Sequence, residues 1–302
     1  MKEAISQKKA AIAFLARDCE KTLPGFLEKT GQLRACFMDS RIYAVENGSK
    51  DATRTLLKRY EKNSAGVTLH LFDDPMFDSL HRMQRMVLLR NKCLELVKES
   101  QFQPDYYIII DSDLDFDVPS VGKSIEEAPD DWAGLFANGR YYLAVKGSRI
   151  PVLYYDLYAY LPDIQPSELS VTDSRSEEDM IRQRPLIQES IKRNNYVKCR
   201  SAFGGIGIYQ YNAVADCRYT LEKNTVSQKF DYLCEHIPFN RDVSRKGSLY
   251  VCSGMKTYYE PLSFKTYLKA WAKDHDKQKE MRTLSKWYKT LSFSRKSGRE
   301  AK

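Results

Sequence analysis

The sequence predicts an α/β protein with a mostly parallel sheet flanked by helices. Short apolar runs of strand length alternate with longer amphipathic segments along the first part of the chain. One such run, Tyr106–Ile110, is β-branched and aromatic and stops abruptly at Asp111, Asp113, Asp115 and Asp117. In open sheets of this kind, ligands bind beyond the carboxyl ends of the strands, where this cluster lies.

The elements follow in order. Ala10–Ala16 reads as a first buried strand, with a helix over 20–30 that tolerates Pro24 in its early turn. Arg41–Val45 is a second strand, and Asn47-Gly48 marks the turn after it. A helix over 52–62 is to be capped by Ser49 or Asp51. Gly66–Phe72 is a third strand, and Arg82–Lys98 is a helix with apolar residues near a 3.6 period. Trp132–Asn138 reads as a later strand, 141–160 is rich in tyrosine, and 161–184 is a polar loop, either a lid or an inert insertion. In Ser201–Tyr211 two glycines precede a strand, serving either a turn or a close backbone approach to a ligand.

Composition narrows the function classes. The 302 residues are 42% hydrophobic and 29% charged, as in a globular protein with a core of its own. Seven scattered cysteines without a C-x-x-C argue against a disulfide framework or structural zinc and for a reducing, cytoplasmic setting. No run of eighteen apolar residues occurs, and 1–10 lacks the apolar core of a signal peptide. The net charge of +8 is confined to 265–302, with twelve Lys/Arg against four Asp/Glu. The rest of the chain is neutral, which weighs against nucleic acid as a partner.

Neither G-x-G-x-x-G nor G-x-x-x-x-G-K-[ST] is present. The ordered motifs A-R-D-C-E, E-N-G-S-K-D-A-T, L-L-R-N-K and D-S-D instead resemble the nucleotide-sugar half of GT-A fold glycosyltransferases. Later, F-G-G-I-G-I-Y and C-E-H-I-P-F look most like capsule- and lipopolysaccharide-type enzymes, including the fungal capsular mannosyltransferase group. The resemblance implies a Rossmann-like catalytic domain over 1–261, with a donor half near 10–118 and an acceptor half near 119–261. A basic helical tail over 262–302 follows.

It also implies transfer of a sugar from a nucleotide-sugar to a hydroxyl of a glycan or lipid-linked glycan, with Mn²⁺ or Mg²⁺. Asp111 and Asp113 can converge on such an ion, for which hard oxygen ligands are suited. Asp113 is expected to ligate it, Asp111 to contact it or the donor, and Asp115 to replace Asp113 if the register shifts. Arg17, Glu46, Asn47, Asp51, Arg90, Gly204 and Gly205 are the donor-binding candidates; turn, cap and surface-charge roles are the plain alternatives. His236 is a third metal ligand, a base or a satisfied core histidine, while Glu235 and, less strongly, Asp156 are candidate bases. His70 reads as structural.

In the tail, Met281, Leu284, Trp287, Tyr288 and Leu291 form one helical stripe among cations, suited to the anionic inner face of a membrane or to packing on the body. The rival readings are a sugar-phosphate nucleotidyltransferase and a non-catalytic membrane- or nucleic-acid-binding protein. The first usually has a glycine-rich basic loop after its first strand, and A-R-D-C-E-K offers none.

Overall fold

The computed structural model describes residues 4–73, 77, 79–163 and 173–274. Its strands are β1 (Lys9–Ala16), β2 (Asp39–Glu46), β3 (Val67–Leu71), β4 (Tyr106–Asp111), β5 (Asp115–Phe116), β6 (Trp132–Val145), β7 (Ser148–Tyr154), β8 (Leu161–Pro162), β9 (Tyr196–Ser201), β10 (Ile206–Gln210) and β11 (Ser248–Pro261). The helices are α1 (Leu23–Arg34), α2 (Thr53–Asn63), α3 (Arg82–Glu99), α4 (Val118–Glu126), α5 (Glu177–Arg193), α6 (Tyr211–Val214), α7 (His236–Val243) and α8 (Phe264–Asp274).

All the strands belong to one sheet of order β3-β2-β1-β4-β10-β6-β11-β9-β8, with β5 on β11 and β7 on β6. The four N-terminal strands run parallel, as the alternation of strands and helices predicts. Beyond β4 the sheet becomes mixed: β10 is antiparallel to both β4 and β6, while β11 runs parallel to β6. The continuous apolar runs reflect burial on both faces. Ala11 and Ala13 of β1, with Tyr107 and Ile109 of β4, pack in the layer that holds α3. Ala10, Ile12 and Phe14, with Ile108 and Ile110, pack in the opposite layer under α1 and α4.

Three local expectations are corrected. Neither Ser49 nor Asp51 is the N-cap of α2, a place taken by Ala52 without a side-chain bond. Asp51 instead accepts hydrogen bonds from the Thr53 and Glu20 amides, and Ser49 Oγ accepts one from Asp18 N. The loop expected over 161–184 already contains the start of α5. Ser176 caps that helix in a reciprocal bond with Asp179, and Glu177 and Glu178 occupy its first turn. Third, β6 is twice the length expected, because it continues into a hairpin with β7.

α8, where the basic tail begins, is anchored on the body by the Arg184–Asp274 ion pair at 2.7 Å, with the Asp274 side chain buried. The aromatic stripe from Met281 to Leu291 and His275 lie outside the described residues. Among the described residues no helix is long and apolar enough to cross a membrane. All seven cysteines are free thiols.

Candidate functional site

A cleft of about 500 Å³ opens at the carboxyl ends of β1, β2 and β4, where Arg17, Asn47, Asp111, Ser112 and Asp113 meet. α3 forms one wall with Arg82, Arg85, Met86, Leu89 and Arg90; Tyr141 of β6, Tyr259 of β11, and Tyr155, Asp156 and Tyr158 of the segment after β7 complete it. A second cavity, of about 540 Å³, lies between β9, β11 and α7. There Arg200 and Arg241 are already paired with Asp173, whereas the first cleft collects several acids at a switch between parallel and antiparallel strands. The strand-end cleft is therefore the candidate site.

The four aspartates after β4 divide into two pairs. β4 ends at Asp111 and a turn carries the chain through Ser112 and Asp113, so both Asp111 and Asp113 line the cleft. The chain re-extends at β5, where Asp115 is bonded to Lys29 and Arg149. Asp117 accepts from Ser120 N at 3.0 Å and caps α4. Asp115 is thus engaged elsewhere and does not replace Asp113.

Behind the aspartates lies a buried ion-pair relay. Arg90 donates its Nε to Glu235 Oε1 at 2.8 Å and reaches Asp111 Oδ1 from its Nη2 at 3.3 Å, while its plane lies over the Phe203 ring. Burial pushes the Asp111 carboxyl up, to about 7; Arg90 opposes this, and the charges of Asp113, Asp156 and Glu235 add to it. Burial also works to raise Glu235, but the adjoining imidazole and the Arg90 guanidinium outweigh it and hold the carboxyl down, at about 2. Burial and the Arg90 charge push the His236 imidazole down to about 3, so it is neutral near pH 7. Burial raises Asp156 against hydrogen bonds from Gly204 N at 2.7 Å and Ala159 N at 3.3 Å.

These contacts change several expected roles. Arg90 is buried between two carboxylates, so it acts as a clamp inside the protein. Its neighbour Asn91 bonds Tyr219 through both the backbone N and O, at 2.8 and 2.9 Å. Together the R-N pair ties α3 to the segment leading into α7. Glu46 is fully buried and accepts from Ser49 N and Arg54, and Asp51 closes the loop described above; neither borders the cleft. Of the expected donor-side group, Arg17, Asn47, Arg90 and Asp111 reach it.

Gly204 and Gly205 form the turn between β9 and β10 with positive φ of 64° and 90°. A Cβ on Gly204 would stand 2.0 Å from Ala137 O, so the close approach serves the chain's own backbone. The turn fixes Asp111 from behind, since Gly205 O accepts from Asp111 N at 2.9 Å.

His236 is 1% exposed, stacked on Phe203 at 4.0 Å between ring centroids, and neither ring nitrogen has a hydrogen-bond partner among the described residues. No group of three or more metal-ligating side chains converges among the described residues, so His236 does not complete a triad with Asp111 and Asp113. His70 packs edge-on against Phe72, as a structural residue. His81 caps α3, accepting from Met83 N at 3.2 Å.

Sequence reasoning missed Arg82, Arg85 and the tyrosines of the cleft. The signal for the arginines was helical spacing, because 82, 85, 86, 89 and 90 share one face of α3. Tyr155 and Tyr259 come together through long-range strand pairing and left no local signal.

No protein-family model matches the chain, and no curated protein matches it in sequence. Its fold is similar to that of S. aureus TarS 1-349, with a TM-score of 0.46 at 12% identity over 89% of this chain and 71% of that one. The same fragment in complex with UDP-GlcNAc gives 0.45 at 13% identity, over 86% of this chain and 60% of that one. The mannosyltransferase PcManGT from Pyrobaculum calidifontis, in complex with GDP-Man and Mn²⁺, gives 0.36 at 12% identity over 44% and 36%. Likenesses this distant assign no residue and no substrate, and the site stands on its own geometry.

Proposed function

We propose that the chain is a glycosyltransferase that moves a sugar from a nucleotide-sugar donor to a hydroxyl of a glycan or lipid-linked glycan. The observation that carries this reading is the joint delivery of Asp111 and Asp113, but not Asp115 or Asp117, into a strand-end cleft. Two cleft carboxylates fit a Mg²⁺ or Mn²⁺ ion, which keeps open positions for phosphate oxygens and water and needs no third protein ligand. Asp113 is exposed and Asp111 has one oxygen free of Arg90, so these two residues would hold it. Bound there, the ion would stabilise charge on a departing diphosphate.

The protein's own groups supply the rest. Arg17, Arg82 and Arg85 border the cleft and can orient phosphate oxygens, a task closed to Arg90 by its two carboxylates. Asn47, at the end of β2, is the remaining candidate for the nucleoside. Deprotonation of an acceptor hydroxyl falls to Asp156 rather than Glu235. A carboxyl raised by burial is the stronger proton acceptor, and Glu235 is held low and occupied by Arg90.

The basic segment 265–302 is assigned to an anionic membrane surface, which would bring a lipid-linked acceptor to the cleft. Thermal-shift screening against UDP-, GDP-, dTDP- and CMP-sugars, with and without Mn²⁺, tests the main reading. Stabilisation by one nucleotide class, enhanced by the metal, supports it; indifference to all of them contradicts it.

A further inference from the structure

Beside Asp113 stands an aromatic wall that the donor chemistry leaves unused. Tyr155 and Tyr259 are stacked at 4.6 Å between centroids and within 6° of parallel. Tyr141 meets both edge-on, at 5.9 and 5.8 Å. All three border the cleft, and Tyr259 keeps 40% of its surface exposed. The stack leaves little side-chain freedom to lose when a flat ligand face settles on it.

The position of this wall is fixed by strand pairing. β5 pairs with β11 through Asp115↔Tyr258 and Phe116↔Thr257, which attaches the turn carrying Asp113 to the strand carrying Tyr259. The side chains of Tyr258 and Tyr142 lie under the Arg149 guanidinium, and Arg149 bonds Asp115. Two arrays therefore lock the same junction, one anchoring it and one bordering the cleft.

Resting on the transferase reading, the geometry points to Tyr259, supported by Tyr155 and Tyr141, as the platform for a sugar ring of the acceptor. Three observations choose a sugar over the donor's base. The groups suited to the nucleotide, Arg17 and Asn47, follow β1 and β2, whereas β11 lies three strands beyond β4 in the sheet order. A tyrosine face offers an apolar surface for ring C–H groups, with a hydroxyl at its rim. Arg82 and Asp113 both act electrostatically on the Tyr259 hydroxyl, so donors and acceptors for sugar hydroxyls stand close to the platform. Asp156, the proposed proton acceptor, directly follows Tyr155 in the chain.

The test is saturation-transfer difference NMR with methyl glycosides of glucose, galactose and mannose, run beside nucleotide-sugar thermal shifts. Wild type, Tyr259→Phe and Tyr259→Ala are compared after circular dichroism has shown each to be folded. The platform predicts saturation of protons on one sugar face in wild type and Tyr259→Phe, at least a fivefold loss in Tyr259→Ala, and unchanged nucleotide-sugar shifts. Loss of the nucleotide-sugar shift in Tyr259→Ala would overturn it in favour of base stacking. Glycoside signals indifferent to Tyr259→Ala, or absent from a wild type that responds to nucleotide-sugars, would also overturn it. Glycoside binding that depends on Tyr259 in a protein indifferent to every nucleotide-sugar would keep the platform and remove the transferase reading.

Discussion

Arg90 and Glu235, 145 residues apart in sequence, form a buried ion pair at 2.8 Å with side chains only 3% and 4% exposed. The pair joins α3 to the start of α7 and holds the arginine against Asp111. Removing one partner strands a charge in the interior, which typically costs about 3–5 kcal/mol. Arg90→Ala is therefore expected to lose stability of that order in urea denaturation. If Arg90 served mainly to grip a ligand, the substitution would weaken nucleotide binding and leave the midpoint unchanged.

The neutral, buried His236 gives a prediction with a sign. Its pKa falls from 6.5 to about 3 on folding, so the unfolded chain binds more protons between those values. This contribution to stability is fully present above pH 6.5 and is lost as the pH falls toward 3, by up to about 1.4 kcal/mol per pH unit, while Asp111, raised to about 7, works in the opposite direction. Glu235 works in the same direction at lower pH, because its carboxyl is depressed to about 2. His236→Phe preserves the stack on Phe203 and removes this loss, so on acidification from pH 6.5 to 4 its melting temperature should fall less, or rise more, than that of the wild type. It should also leave turnover within about threefold, whereas loss of a metal ligand or base commonly costs about a hundredfold or more.

Two glycine substitutions should diverge. Gly25 lies in α1, and a methyl group added there would meet nothing within 4 Å among the described residues, so Gly25→Ala should stabilise by about 0.5–1 kcal/mol. Gly204→Ala places its methyl against Ala137 O in a positive-φ turn and should depress the melting temperature sharply or prevent folding. Equal effects of the two substitutions would show that the turn is not constrained as described.

Part of this architecture was legible in the sequence and part was not. The parallel half was readable because β1 and β4 are buried on both faces and therefore run apolar from Ala10 to Ala16 and from Tyr106 to Ile110. Asp111 and Asp113 were readable because they sit where such a strand stops. Local pattern could not reveal that Asp115 is taken by Lys29 and Arg149, or that Arg90 faces Glu235, because both depend on partners far along the chain. Helix α5 was hidden by Pro185 and a polar composition, although Ser176 followed by Asp179 marked its start.

The basic tail yields an expectation of its own. Anionic liposomes should bind the full chain at low salt and release it at high salt, since charge attraction is screened within about 10 Å at 0.1 M. A chain ending at Asp274, which keeps the anchored α8, should not bind them. Binding that ignores both salt and truncation would count against the assignment.

The most direct test compares nucleotide-sugar turnover across a Mn²⁺ titration in wild type, Asp111→Asn and Asp113→Asn. Metal-dependent turnover in wild type, reduced about a hundredfold or more in both variants with melting temperatures close to wild type, is the predicted result. Full activity in folded Asp113→Asn, or turnover in wild type that is indifferent to Mn²⁺ and Mg²⁺, would contradict it.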